Sequence, residues 1–153
     1  MTQIMENQEL EFDNLLSFRG KVGNEQLQQI NVQMEQLIKE SGAEKKGYPI
    51  TVTYGVEGNL MDIEILVPLD KKIDSKDTKF VFKDKLKILH ALKAVHTGNP
   101  AGLQNTCNEL NEYMTKNQMV PVTAGYNITR KVDMLDINNS EIDIYVGINP
   151  NIL

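Results

Sequence analysis

The order of the secondary-structure patterns most constrains the fold, because the same order occurs twice in this chain. Residues 14–68 read as strand, helix, strand, strand, and residues 86–150 repeat that order after a charged linker at 69–85. Apolar residues recur at every second position in the strands and at every third or fourth position in the helices. The repetition indicates an internal duplication within a single domain, residues 1–153.

The two repeats also agree residue by residue. Alignment of the helices pairs apolar residues with apolar residues: Leu27 with Leu103, Met34 with Leu110, and Ile38 with Met114. Alignment of the strands pairs Tyr54 with Tyr126 and Asp62 with Asp143. The predicted architecture is therefore an α+β fold of two tandem β-α-β-β units with pseudo-two-fold symmetry. Its antiparallel sheet would carry the helices on one face and a concave groove on the other.

Local signals predict where several elements begin. The first dozen residues are polar and acidic, which favours a frayed arm or a short edge element. Asn24 is the predicted N-cap of the first helix. Asn99 is the predicted N-cap of the second, with Pro100 at its first helical position.

Composition and charge exclude several functional classes. A net charge of −5 argues against general nucleic-acid binding, which depends on neutralising phosphates. The single cysteine, Cys107, excludes an internal disulfide and a cysteine-based metal cluster, and we expect it to be a small buried apolar group. His90 and His96 lie about 20 Å apart along one strand, too far apart to chelate one metal ion. We therefore expect no metal and no cofactor.

The sequence also predicts a compartment. The N-terminal residues lack the basic start and apolar core of a signal peptide, and no apolar run reaches membrane-spanning length. One cysteine in 153 residues favours a reducing environment. We expect a cytoplasmic protein with no membrane partner.

The last strand carries the main candidate site. Ile142 and Ile144 share one face of the pleated strand, whereas Glu141, Asp143 and Tyr145 share the other. A carboxylate beside an aromatic ring attracts a cation through charge and through the ring quadrupole. The second face therefore predicts a ligand-binding site, with hydrogen bonding across the sheet or exposure to water as the alternative.

The first repeat has an equivalent face. Asp62 and Glu64 alternate with isoleucines in the same way, and we include both as ligand-binding candidates. Tyr54 and Tyr126 occupy matching positions and are predicted to wall the groove, although half-buried tyrosines also pack in cores with the hydroxyl at the rim.

Two successive units of this order, with a last strand that reads acidic-Ile-Tyr-aliphatic, resemble the GyrI-like small-molecule-binding domains. Members of that superfamily sense ligands in transcriptional regulators, stand alone as gyrase-inhibitor-like proteins, or in some branches hydrolyse small molecules. The resemblance implies that the ligand-contacting acid of the last strand is Asp143.

A closer resemblance is to an uncharacterised GyrI-like family of Gram-positive bacteria. The matching pieces are Ser17–Val22, Gly98–Pro100, Leu103–Thr106, Gly125–Thr129 and Gly147–Leu153. That family is often encoded near type VII secretion toxins, and the resemblance implies no particular activity.

Three functions remain open at this stage. The first is a non-catalytic binding protein whose groove takes a small cationic or amphipathic ligand. The second is an adaptor or chaperone for a type VII secretion toxin, holding a partner protein in the groove or at a sheet edge. The third is a small-molecule hydrolase, using Tyr126 or Tyr145 with Asp143 or Glu64 as acid-base groups. A homodimer is compatible with each, and a DNA-binding regulator is poorly supported because no helix-turn-helix pattern precedes the repeats.

Overall fold

The computed structural model describes residues 3–74, 79–133 and 135–151. The chain forms two compact units. The N-terminal unit comprises Glu11–Lys87, and the C-terminal unit comprises Met1–Leu10 together with Ile88–Leu153. Residues 75–78 of the predicted linker and 152–153 of the tail lie outside the described residues.

In the described part of the chain, six strands and two α-helices follow one another in the predicted order, with short 3-10 helices at Pro100–Gly102 and Ile137–Asn139. The strands are β1 (Gln3–Val22), β2 (Ile50–Glu57), β3 (Leu60–Pro68), β4 (Phe80–Thr97), β5 (Pro121–Lys131) and β6 (Glu141–Ile148). The helices are α1 (Asn24–Glu40) and α2 (Leu103–Lys116). Neither helix is long and apolar enough to cross a membrane, which holds for the described part of the chain.

In the N-terminal unit, β3 is the central strand of an antiparallel sheet. It pairs with β1 on one side and with β2 on the other, so that Ile65 lies opposite Phe18 and Thr51. Alternate residues of β3 pack with α1 in one apolar cluster, whose members include Ile30, Met34, Ile38, Ile63, Ile65 and Val67. Because side chains alternate along a strand, Glu64 lies on the face opposite α1.

The C-terminal unit repeats this arrangement around β6. This strand pairs antiparallel with β4 and β5, so that Ile144 lies opposite Ala94 and Asn127. The apolar cluster with α2 includes Leu92, Ala94, Leu110, Met114, Ile144 and Val146. Asp143 and Tyr145 therefore lie on the face opposite α2. The predicted pair of β-α-β-β units, each with its helix on one face of an antiparallel sheet, is confirmed.

The start of the first helix was predicted to within one residue, but the start of the second was predicted three residues too early. Asn99 caps a short 3-10 helix, Pro100–Gly102, through a 2.9 Å hydrogen bond from the Ala101 N–H to its side-chain oxygen, and α2 begins only at Leu103. The first helix instead takes Gly23 as its N-cap, and Asn24 is its first residue. The Gly23 N–H donates to the Gln26 side-chain oxygen at 3.1 Å, which is the half of a capping box that needs no side chain at the N-cap.

The prediction of a frayed arm or a short edge element at the N-terminus is wrong, because these residues begin the 20-residue strand β1 at Gln3. Ile4 packs against the core of the C-terminal unit, and Glu6 accepts a hydrogen bond from the Tyr113 hydroxyl at 2.8 Å. These contacts lie far apart in sequence, which is why local composition did not indicate them. Similarly, β4 begins at Phe80, so residues 80–85 of the predicted linker are strand.

One close approach in the C-terminal sheet depends on a glycine. The Gly147 N–H donates to Thr123 Oγ1 at 2.8 Å, where the pairing of β5 with β6 shifts register. A Cβ added at Gly147 would lie 2.8 Å from Thr123 Cγ2, closer than van der Waals contact allows.

Gly147→Ala should therefore lower the free energy of unfolding by about 1–3 kcal/mol, because the new methyl group overpacks against Thr123. Thr123→Ser removes the clashing Cγ2 and keeps the accepting hydroxyl, so the double variant should recover part of the loss. Urea unfolding of the four proteins of this cycle measures the coupling. Gly125→Ala is the matched control, since its Cβ would meet Ile144 at an ordinary 3.6 Å.

Candidate functional site

A buried carboxylate with three donors lies at the centre of the N-terminal sheet. Glu64 is 6% exposed. Its Oε2 accepts from Ser17 Oγ at 3.0 Å and from Lys83 Nζ at 2.5 Å, and its Oε1 accepts from the Tyr54 hydroxyl at 3.1 Å. We call these four residues the Glu64 cluster. Ser17, Tyr54 and Glu64 lie on β1, β2 and β3. Lys83 lies near the start of β4.

The contacts keep Glu64 ionised. Burial by itself would raise the pKa of this carboxyl group, but the hydrogen bond and charge of Lys83 and the hydrogen bonds from Ser17 and Tyr54 outweigh burial. The pKa of Glu64 is therefore below its usual value. Both oxygens are occupied by the protein's own donors, which is the arrangement of a structural ion pair.

Asp62 and Tyr54 are joined by Arg19 on the same sheet. The guanidinium group binds Asp62 through two bonds, Nε to Oδ1 at 3.1 Å and Nη2 to Oδ2 at 3.2 Å. It also lies over the Tyr54 ring, 3.6 Å from the centroid. The hydrogen bond from Arg19 lowers the pKa of Asp62. A cation of the chain itself thus covers this tyrosine.

The C-terminal unit holds a second buried carboxylate, which is paired differently. Asp143 is 4% exposed. Its Oδ2 forms an ion pair with Arg130 Nε at 2.7 Å and lies 3.7 Å from Lys93 Nζ. Its Oδ1 is buried and has no hydrogen-bond partner among the residues that the structure describes. Buried polar atoms are nearly always hydrogen-bonded, so this oxygen requires an explanation.

The other predicted residues of this unit surround Asp143. Lys93 Nζ lies 5.4 Å from the centroid of the Tyr145 ring. Arg130 Nη1 also donates to Glu141 Oε2 at 3.1 Å, so this arginine bridges the two acidic side chains. Tyr126 lies opposite Tyr145 in the register of β5 and β6. We call Lys93, Arg130, Asp143 and Tyr145 the Asp143 cluster.

The seven predicted residues thus separate into two groups. Tyr54, Asp62 and Glu64 are linked by direct or shared contacts in the N-terminal unit. Glu141, Asp143, Tyr145 and Tyr126 lie together in the C-terminal unit. Within each group the acidic side chains that the alternation placed on one face do lie on that face.

The cationic partners were not predicted. Lys83 was predicted to lie in the charged linker, and no ion pair was predicted for Arg19, Lys93 or Arg130. A signal for Lys93 is present in the sequence, because it interrupts the apolar run Leu89–Val95 and a lysine in such a run needs an anionic partner. Arg130 carries no comparable signal, since it lies where the pairing of β5 with β6 shifts register.

Other chemistry has little support. Among the described residues, no group of three or more His, Cys, Asp or Glu side chains could hold a metal ion. Burial raises the pKa of the half-buried Cys107 thiol, which disfavours a nucleophilic thiolate. His96 is buried, and its ring nitrogens lie 2.7 Å from Thr106 Oγ1 and 2.9 Å from the Asn99 carbonyl oxygen.

Surface cavities lie within both units, and one of about 800 Å³ in the N-terminal unit is lined by residues such as Gly23, Val56 and Met61. One of about 430 Å³ in the C-terminal unit is lined by residues such as His90, Gln118 and Asn149, and by none of the seven predicted residues. Another of about 330 Å³ in the N-terminal unit includes Asp62 in its lining.

No protein-family model and no curated protein matches this sequence. Solved structures do match. A cryo-EM structure of an EcmrR–DNA complex gives a TM-score of 0.81 at 17% identity over 97% of this chain, which spans 57% of that one. The crystal structure of the EcmrR C-terminal domain gives 0.76 at 14% identity, with 97% of both chains covered.

Two further proteins share the fold at greater distance. A crystal structure described as a hydrolase from Listeria innocua gives a TM-score of 0.63 at 9% identity, covering 97% of this chain and 91% of that one. The structure of SAV2435 bound to tetraphenylphosphonium gives 0.51 at 14% identity, covering 98% and 94%. At these identities the likeness concerns the fold alone, and this chain has a GyrI-like fold.

Glu64→Gln should lower the free energy of unfolding at about pH 7 by roughly 1–3 kcal/mol, because the charged partner of Lys83 is lost in a buried site. A lowered folded-state pKa stabilises the fold above the unfolded pKa of about 4.3, and this contribution is lost as the pH falls through the folded pKa. The difference between variant and parent should therefore shrink at about pH 2.5. Urea unfolding followed by circular dichroism at both pH values measures it.

Asp62→Asn is the matched control for this experiment. It removes a second ionised carboxylate from the same strand, but this one is partly exposed and its bond to Arg19 is screened by solvent. We expect a smaller loss than for Glu64→Gln. A Glu64→Gln loss of equal size at both pH values would show that the charge of Glu64 is not what stabilises the sheet.

Proposed function

We propose that this chain is a non-catalytic binding protein that holds a small organic cation against the Asp143 cluster. The observation that supports this most directly is the buried Oδ1 of Asp143, which has no hydrogen-bond partner among the described residues. It lies in the same cluster as the Tyr145 ring, which offers an apolar face and a negative quadrupole.

The energetics favour a ligand at this position. Leaving a buried carboxylate oxygen without a donor costs about 1–3 kcal/mol, and a bound group with an N–H or a positive charge would recover it. Ring faces such as that of Tyr145 add about 0.5–2 kcal/mol for a cation, depending on how far it is desolvated. The edge of the cluster borders solvent, because the side chains of Arg130 and Glu141 are 33% and 40% exposed.

A protein of the same fold suggests the first compound to test as a ligand. SAV2435, which shares the fold, was solved with tetraphenylphosphonium, a lipophilic cation. We extend that chemistry to this chain as part of the proposal. The chain spans about half of EcmrR in its DNA complex, and the proposal concerns small-molecule binding and not DNA.

A hydrolase remains the weaker candidate, although one structure of this fold is described as a hydrolase. A general base needs a lone pair directed at the substrate and a pKa near the working pH. Glu64 has both oxygens occupied and a lowered pKa. Asp143 is ion-paired with Arg130. These contacts favour binding over proton transfer.

Asp143→Asn should weaken binding of tetraphenylphosphonium about tenfold or more, because it removes the buried negative charge that faces the ligand. Isothermal titration calorimetry measures the affinity, and a protonated arylalkylamine serves as a second probe with N–H donors. Asp62→Asn is the matched control, because it removes an acid from the equivalent strand of the other unit.

Two results would contradict the proposal. One is a folded Asp143→Asn protein that binds both probes as tightly as the parent does. The other is a parent protein that binds neither probe at millimolar concentration. Circular dichroism on each variant separates a lost ligand site from a lost fold.

A further inference from the structure

Lys93 occupies the position that a bound cation would take in the Asp143 cluster. Its ammonium group lies 5.4 Å from the centre of the Tyr145 ring and 3.7 Å from Asp143 Oδ2. Asp143 already has two cations beside it, Arg130 and Lys93, and a third positive charge over the same ring would be repelled strongly, because like charges within a few ångströms repel each other at a desolvated site. An organic cation can therefore bind over Tyr145 only if Lys93 moves away.

The two cations of the cluster differ in the length of their contacts. Arg130 has short contacts and Lys93 has long ones. Arg130 makes a 2.7 Å ion pair with Asp143 and a 3.1 Å hydrogen bond to Glu141. The 3.7 Å separation between Lys93 and Asp143 exceeds hydrogen-bond length, and its distance from Tyr145 is near the outer limit of a cation–π contact.

The position of Lys93 also allows its side chain to move away from Asp143 and Tyr145. Its side chain is 20% exposed, so Lys93 lies at the edge of the cluster beside solvent and is not enclosed by it. A lysine carries its charge on a flexible four-carbon stem and can turn that charge towards water while the stem stays packed. Hydration would then compensate for the two long contacts that are lost.

We infer that Lys93 is a built-in competitor for the ligand site: it covers Tyr145 and neutralises Asp143 in the unliganded protein, and a ligand cation must displace it. This inference rests on the proposed function and adds a specificity-determining residue to it. Lys93 then sets a threshold, because a cation binds only if its contacts with Asp143 and Tyr145 exceed those of the lysine. Small hydrated cations fail this test, whereas lipophilic organic cations pass it.

The N-terminal unit has a similar contact between a cation and a tyrosine ring, and there the cation is held by shorter contacts. Arg19 lies over Tyr54 at 3.6 Å and is held by two hydrogen bonds to Asp62. A tyrosine ring with a cation of the same unit near its face thus occurs in both units. Lys93, the less tightly held of the two cations, is the one beside a carboxylate oxygen without a hydrogen-bond partner in the described residues.

Lys93→Met tests the inference, since it keeps the length and apolar character of the stem and removes the charge. Tetraphenylphosphonium is the probe, because it has no N–H donor and so reports the position over the ring. Its affinity should rise about tenfold in Lys93→Met, the equivalent of about 1.4 kcal/mol of removed competition. Lys93→Arg, which keeps a cation over Tyr145, should bind no more tightly than the parent.

The controls distinguish this inference from the proposed function. Lys116→Met removes an exposed lysine from the last turn of α2 and should leave the affinity unchanged. If Asp143→Asn weakens binding in the parent but Lys93→Met binds equally or more weakly, the ligand site stands and the competition by Lys93 is overturned. If neither the parent nor Lys93→Met binds the probe, both the site and the competition are overturned.

A second readout follows Lys93 itself. A displaced lysine is more exposed and should be acetylated faster by an N-hydroxysuccinimide ester when tetraphenylphosphonium is present, whereas Lys116 should react at the same rate with and without it. Mass spectrometry of the digested protein measures both rates. Equal or slower acetylation of Lys93 with saturating probe would overturn its displacement.

Discussion

The burial of a carboxylate on the central strand of each unit is the constraint on which the arrangement of polar residues depends. Glu64 and Asp143 lie on central strands, each flanked by two neighbours and closed on its other face by a helix. A charge at such a position needs partners, because an isolated ionised group is expensive to bury. Strands β4 and β5 supply Lys93 and Arg130 to Asp143, whereas Glu64 takes its cation, Lys83, from the start of β4, which does not flank β3.

The two units meet this demand differently. Glu64 has donors on both oxygens, so its site is complete without any further molecule. Asp143 has two cations near one oxygen and a buried second oxygen without a hydrogen-bond partner in the described part of the chain. The N-terminal unit therefore has the contacts of a structural ion pair, whereas in the C-terminal unit one carboxylate oxygen can still accept a hydrogen bond.

Much of the fold was predictable because it depends on local periodicity. Alternation in β3 and β6 identified both the apolar residues that pack with the helices and the acidic residues on the opposite face. The predictions that failed concerned contacts distant in sequence. Residues 3–12 appear too polar for a strand, yet β1 begins at Gln3 because Ile4 and Glu6 contact the C-terminal unit. Lys83 was predicted to lie in a solvated linker, because its partner Glu64 lies on another strand and no local pattern connects the two.

The sequence by itself determined the two β-α-β-β repeats and the face of each strand, since both follow from which side chains must avoid water and from the two-residue period of a strand. It also determined that Asp143 and Tyr145 would be neighbours on one face. Only the tertiary structure decided which cations reach those acidic side chains, because strand pairing and the register shifts of β5 bring together residues that no local pattern connects. The placement of Lys93 over Tyr145, and the difference between a completed and an incomplete buried carboxylate, are properties of that pairing.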